Sequence, residues 1–407
     1  MAIKTTERLE RAAQGMRDAG YAALIVRMPE HVLMLSGYQP VLGNSFCLLS
    51  LNAAGQPELR LAALDSEADR ASAAAPLQLI TFGEETLDWI GDTIVAAREP
   101  LGKLLATAGI ASDAVVGIEG GAHPIATGYT QVGTPAYATV ALLRQLLPQV
   151  TLRDATDLLA ALKAVKSEAE LARIRRAEQV AIAGFHAARE AAHPGASEAD
   201  VAAATYAALV RAGYGVAGVW NVQPFVHVMA GLRSELAYLA FNMTSSAAIQ
   251  PGDPVLVQLE IGLDGYWAEL SRTFFAGSVS ETWRAAHEAC VRAQDTALKV
   301  IRAGVAGREA DAAARAVMGA AGYGEAFKHG LGHGFGFQAI NHGARPILHP
   351  ASTDTLQAGM VSNLEPAVYL KGIGGLRLND DVAVRADGCE LLSRDLPRDL
   401  EWLITPA

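Results

Sequence analysis

Glu260 and Glu269 lie in the run EIGLDGYWAELSRTFF (260–275), which reads as a β-hairpin that carries two carboxylates and ends in Ser-Arg-Thr-Phe-Phe. Three later segments offer partners: Gly-His-Gly around His333, Asn-Leu-Glu-Pro around Glu365, and Gly-Gly-Leu-Arg-Leu-Asn-Asp-Asp, which holds Arg377 and Asn379. Carboxylates and imidazoles hold divalent cations, and a carboxylate beside a cation or bound water is suited to take that water's proton. The glycines flanking His333 let the backbone approach a ligand closely. A lone histidine is more often a surface or satisfied core residue, and Glu365 before Pro366 also reads as a solvated side chain in a turn, so the weight rests on the segments occurring together. Arg272 and Arg377 are placed to pair with the carboxylates or to bind a substrate carboxylate, the ion pair being the preferred reading. His227, three residues after Pro224, is a further candidate for the same cavity.

Those residues need elements to position them. At 407 residues the chain exceeds the roughly 250–300 that one core usually serves, which predicts two domains. Leu9, Ala12, Ala13 and Met16 recur at helical spacing before Gly20, and the strand AALIVRM follows. Short apolar runs at 46–52, 57–64, 77–82 and 114–118 have strand length, and helical sequence is expected near 85–108 and 137–148. That alternation predicts an α/β domain over 1–155. Capping boxes at Ser167-Glu168-Ala169-Glu170 and Ser197-Glu198-Ala199-Asp200 open two helices of a second domain, 156–407. Its strands are expected near 222–230 and 254–262, and two more helices at 281–303 and 308–320, a block arrangement that predicts α+β.

The order and register of these motifs resemble the pita-bread hydrolases: methionine aminopeptidase, prolidase, aminopeptidase P and creatinase. RLERAAQGMRDAGYAALIVRMPEHVLMLSGY is similar to the opening of the N-terminal domain shared by creatinase and prolidase, and LKAVKSEAELARIRRA to the first helix of their catalytic domain. The resemblance implies an α/β N-terminal domain of the creatinase/prolidase type, a pita-bread α+β catalytic domain and a homodimer. The family's metal ligands, two Asp, one His and two Glu, fall here on Glu260, Glu269, His333, Glu365 and Asn379. Glu260 and Glu269 keep charge but add a methylene each, and the segment between them is shorter than in the family. Asn379 is neutral and cannot bridge two cations as a carboxylate does, so one divalent ion or none, Mn²⁺ foremost, is expected. Glu365 takes the family's general-base position. The family's proton-donating His aligns with Tyr238, whose hydroxyl can donate to an oxyanion but is a poor base with a pKa near ~10. His342 matches the family's second substrate-contacting His, and His227 and Arg377 are the candidate substrate-binding residues.

Composition narrows the alternatives. Hydrophobic residues at 51% and charged residues at 19% suit a folded soluble protein, and no run reaches the ~20 apolar residues of a membrane span. The N-terminal residues do not read as a secretory signal, so a cytoplasmic location is expected. Cys47, Cys290 and Cys389 form no spaced pair, which argues against disulfides and thiolate zinc. A net charge of −10 without basic clusters disfavours nucleic acid and anionic membranes as partners. Three functions follow as expectations: an Xaa-Pro peptidase with an altered metal site acting on a dipeptide or other small substrate, a metal-free creatinase-like amidohydrolase, or a silent pita-bread binding domain. Creatinase's essential His aligns with Tyr238, and one of its substrate-binding Glu positions with Ser271, so metal-free chemistry would be arranged differently here.

Overall fold

A computed structural model describes residues 6–41, 45–74, 76–83, 85–87, 89–90, 93–120, 137–239, 243–339 and 342–407. They fall into two compact units divided between Lys163 and Ala164. In the first, α1 (Thr6–Ala19) buries Ala12, Ala13 and Met16 and stops at Gly20, as its spacing predicts. A six-stranded sheet follows, built from β1 (Ala23–Val26), β2 (Phe46–Leu51), β3 (Pro57–Leu64), β4 (Gln78–Phe82), β7 (Val115–Ile118) and β8 (Thr151–Asp154) in the order β4-β3-β2-β1-β7-β8. Its core joins Ile25, Phe46, Leu48 and Leu64 to Leu101 and Leu104 of α4 (Thr93–Thr107) and Leu142 of α5 (Tyr137–Leu146). The shorter α2 (Pro29–Ser36) and α3 (Ala68–Ser72) complete the alternation of helices and strands.

Three details depart from the sequence expectation. The helix expected from residue 85 begins at Thr93, and β5 (Glu85–Thr86) pairs instead with β6 (Trp89–Ile90), in keeping with the strand preference of Thr, Trp and Ile. The edge strand β8, largely exposed and mixed in composition, carries no apolar run to announce it. Where the boundary was expected at 155/156, the first unit continues to Lys163 and takes most of α6 (Thr156–Ala164) with it.

In the second unit α7 (Glu168–Ala191) opens at Ser167, whose Oγ accepts the Glu170 N–H at 3.3 Å while the Glu170 carboxylate accepts the Ser167 N–H at 2.7 Å. Ser197 and Asp200 repeat this box at α8 (Glu198–Gly215). Such caps satisfy helix-end donors that have no partner within the helix. Three antiparallel strands, β9 (Val222–Ala230), β10 (Pro254–Leu263) and β11 (Tyr266–Phe275), lie in the order β11-β10-β9, and α9 (Glu281–Val300) and α10 (Gly307–Ala320) follow. Five short strands finish the unit: β12 (Val361–Leu364), β13 (Ala367–Leu370), β14 (Gly374–Arg377), β15 (Asp380–Val384) and β16 (Cys389–Leu391). A β-bridge between Ser271 and Asn379 ties β11 to the β14–β15 connection, and one between Gly334 and Ser362 ties the Gly-His-Gly loop to β12. The result is the expected α+β unit, closed by α11 (Leu400–Leu403). No described helix is long and apolar enough to cross a membrane, and all three cysteines are free thiols.

Candidate metal centre and cavity

The hairpin sets the site. Between β10 and β11 stand only Asp264 and Gly265, both with positive φ (51° and 84°), the conformation that a two-residue turn of the Asp-Gly type requires. A two-residue turn allows one register, Leu263 opposite Tyr266, and counting back along both strands brings Glu260 opposite Glu269. Both glutamates are buried.

His333 enters from the Gly-His-Gly loop. A Cβ at Gly332 would lie 2.0 Å from the Asn363 carbonyl oxygen, so only glycine lets this loop close on β12. The His333 N–H donates to Asn363 Oδ1 at 2.7 Å, and His333 Nδ1 lies 3.0 Å from the Gly334 carbonyl. That carbonyl can only accept, which assigns the ring proton to Nδ1 and leaves Nε2 as an acceptor. His333 Nε2 lies 3.7 Å from Glu269 Oε1, 3.7 Å from Glu365 Oε1 and 3.2 Å from the Asn363 amide. Ligand atoms of Glu269, His333 and Glu365 all fall within 4.8 Å of one another.

The three carboxyls have different electrostatic surroundings. Burial, and then the charge of Glu269, push Glu260 well above the ordinary carboxyl range, although Gln258 donates to it at 2.6 Å. Burial, and then Glu365, raise Glu269 to about 7. For Glu365 burial also acts upward, but Arg377 together with His333, His329 and His342 outweighs it and holds the carboxyl below its ordinary value. Glu365 is thus the acid kept ionised, as a general base must be.

Arg377 and Arg272 separate into different roles. Arg377 Nη1 lies 3.7 Å from Glu365 Oε2, its Nε donates to Ser271 Oγ at 3.3 Å, and its other amino group donates to Gln258 Oε1. Arg272 faces away, pairing with Asp380 at 2.7 Å and donating to the carbonyls of Ser271, Asn379, Leu396 and Pro397, which bears out the structural ion pair for this residue. Asn379 donates its amide to the Glu269 carbonyl at 3.1 Å, and Asp381 accepts the Glu269 N–H at 2.9 Å, so the two bracket that residue's backbone. Near Asp381 lies Glu178 of α7, fully buried, whose carboxyl burial pushes up to about 8.

The cluster opens into a cavity of about 220 Å³ that reaches His227, Tyr238, His342 and Arg377, bringing the remaining expected residues to one place. His227 is buried, and desolvation followed by Arg377 lowers its pKa to about 4, so it is neutral at physiological pH. His342 packs against His333 with ring centroids 4.9 Å apart and planes tilted by 51°, and Tyr238 leans on Tyr369 at 5.3 Å. Sequence reasoning missed four residues here: Gln258, Asn363, His329 and His349. Gln258 was findable, because two residues before Glu260 on a strand is the same face. His329, four residues before His333, accepts at Nε2 from Tyr369 O–H at 3.1 Å, with Nδ1 at 2.8 Å from the Gly330 carbonyl.

These groups fit a divalent cation. Glu269 Oε1 is buried without a hydrogen-bond partner among the described residues, and it lies 3.7 Å from His333 Nε2, an acceptor nitrogen, and near the ionised Glu365 carboxylate. Glu260 Oε2 and Asn379 Oδ1 are likewise buried without a hydrogen-bond partner among the described residues, although Gln258 occupies the other oxygen of Glu260 and Asn379 is neutral.

Residues 172–386 match the metallopeptidase family M24, and residues 8–165 match the creatinase/prolidase N-terminal domain. The chain belongs to metallopeptidase family M24. Within it, the chain is 32% identical over 386 residues to the probable dipeptidase PepE of Mycobacterium tuberculosis, a match covering 94% of this chain and 92% of that one. It is 30% identical over 247 residues to the putative dipeptidase YkvY of Bacillus subtilis, covering 61% of this chain and 65% of that protein. The Xaa-Pro dipeptidase structure from Bacillus anthracis shares the fold with a TM-score of 0.78 at 24% identity, covering 98% of this chain and 100% of that one. As an M24 member with the two-domain pita-bread architecture, the chain is a hydrolase of a family that uses divalent metal.

Proposed function

We propose that the protein hydrolyses Xaa-Pro dipeptides or closely related small amides with a single divalent cation, Mn²⁺ foremost, held by Glu269, His333 and Glu365. The observation that carries this is the unpartnered, buried Glu269 Oε1 in ligand range of His333 and Glu365. A cavity of about 220 Å³ lies below the roughly 300–1,000 Å³ of common ligand pockets and favours a substrate of dipeptide size. The dipeptidase names of the PepE and YkvY relatives point the same way.

A bound cation would supply Lewis acidity toward the scissile carbonyl and acidify a water beside it. Glu365, kept ionised by Arg377 and the histidines, takes the proton of the attacking water and returns it to the departing amide nitrogen. Tyr238 O–H and an N–H of His342 line the cavity as donors to the tetrahedral oxyanion. Arg377 sets the charge of Glu365, and neutral His227 offers a polar contact to substrate. Glu260, which accepts from Gln258, buttresses Glu269 from the neighbouring strand. The protein acts as a homodimer in this reading, which light scattering on the purified chain tests.

The deciding experiment pairs metal analysis by inductively coupled plasma mass spectrometry, after Mn²⁺ loading and desalting, with turnover of an Xaa-Pro dipeptide panel. One ion per chain with turnover supports the reading. Turnover with no ion would transfer it to metal-free hydrolysis, and an ion without turnover on any small amide would leave a binding domain.

A further inference from the structure

We propose that His349 binds the C-terminal carboxylate of the substrate and so selects free dipeptides, an inference that rests on the dipeptidase reading. A dipeptide whose scissile carbonyl lies at the Glu269, His333 and Glu365 cluster brings its anionic end to the cavity wall within a few bonds. Arg377 is the one formal cation among the described lining residues, and its donors already face Ser271, Gln258 and Glu365. The carboxylate must then be met by neutral donors.

Two of the five lining imidazoles are committed at both ring nitrogens. His333 directs Nδ1 at the Gly334 carbonyl and Nε2 at the acids, and His329 is held between the Gly330 carbonyl and Tyr369. His349 differs. Its Nδ1 accepts the Ala351 N–H at 3.0 Å, so the neutral ring carries its proton on Nε2 as a donor. A Cβ built on Gly330 would lie 2.9 Å from His349 Cδ2, the ring carbon bonded to Nε2, so Gly330 is what allows this edge of the ring to rest against the cavity wall. Backbone on one side and a glycine floor on the other thus fix both the tautomer and the seat of a donor on the cavity lining. A carboxylate accepts such a bond about twice as strongly as a neutral carboxamide does.

The test compares Ala-Pro with Ala-Pro amide on wild type, His349→Ala and His349→Gln. We expect His349→Ala to raise KM for Ala-Pro about tenfold with kcat within twofold, to leave the amide nearly unchanged, and to abolish the preference for the free acid. His349→Gln, which keeps an N–H donor, should restore part of it. An unchanged KM for Ala-Pro, or equal losses on acid and amide, would overturn the proposal while leaving the dipeptidase reading intact. Should wild type hydrolyse neither compound, that reading fails, and calorimetric binding of the same pair decides His349: an acid preference lost in His349→Ala upholds it, and no preference or no binding refutes it.

Discussion

Glu260 and Glu269 are Cα partners across β10 and β11, two buried carboxyls on adjoining strands with no cationic side chain between them in the ladder. Burial raises both, the charge of Glu269 adding to the rise of Glu260 and the charge of Glu365 to that of Glu269, which stands at about 7. A cation must therefore displace a proton as it binds. Mn²⁺ affinity should rise with pH through about 7 and level off above it, because the protonated Glu269 carboxyl is no ligand. Titration calorimetry at pH 6.5 in buffers of different ionisation enthalpy should show proton release, and a pH-independent affinity between 6 and 8 would contradict it.

Arg377→Met should move the acid limb of the activity profile. The guanidinium lies 3.7 Å from Glu365 and helps hold that carboxyl down, so removing it raises the pKa and protonates the base at higher pH. kcat/KM should fall more at pH 6 than at pH 8, with the lower inflection displaced upward. Parallel losses at both pH values would assign Arg377 to binding alone.

Asn379→Glu should raise Mn²⁺ stoichiometry above one ion per chain if the neutral amide is what excludes a second cation. The exchange forfeits the hydrogen bond to the Glu269 carbonyl, a cost of about 1 kcal/mol, so a modest fall in Tm should accompany it. Unchanged stoichiometry by mass spectrometry would shift the cause to Gln258, which occupies Glu260.

Arg272→Ala should destabilise by about 3–5 kcal/mol, because Asp380 is left buried and uncompensated. Denaturant unfolding measures this directly. A loss under 1 kcal/mol would mean that water enters to solvate Asp380.

Glu178 predicts a pH dependence of the metal-free fold. Its folded-state pKa of about 8 stands above the ordinary 4.5, so its stabilising contribution is complete below about 4.5 and is lost as pH climbs through 8. Calorimetric Tm should decline between pH 5 and 9, and Glu178→Gln should flatten that slope. An equal slope in both proteins would remove Glu178 from the account.

What was legible in the sequence was local. Asp264-Gly265 between apolar strands announces a two-residue hairpin, and that hairpin alone sets the Glu260 and Glu269 register. The capping serines at 167 and 197 likewise act within one helical turn. The parts that escaped depend on contacts between segments far apart in the chain. Nothing near Gln258 reveals that its amide oxygen accepts from Arg377, more than a hundred residues further along the chain. Nothing near His349 reveals that Gly330 lies beneath it. The two arginines of the motif region looked equivalent on paper, and only the curvature that brings Asp380 to one face and Glu365 to the other separates them.

The Asp264-Gly265 turn also bears on the thermodynamics of loading. Because a loop this short leaves no slack, Glu269 is held opposite Glu260 by covalent geometry before any ion arrives, and little ordering entropy of that ligand remains to be lost on binding. Chelation should then extract the ion without melting the sheet, and lengthening the turn with glycines should weaken ion affinity while the rest of the chain keeps its shape.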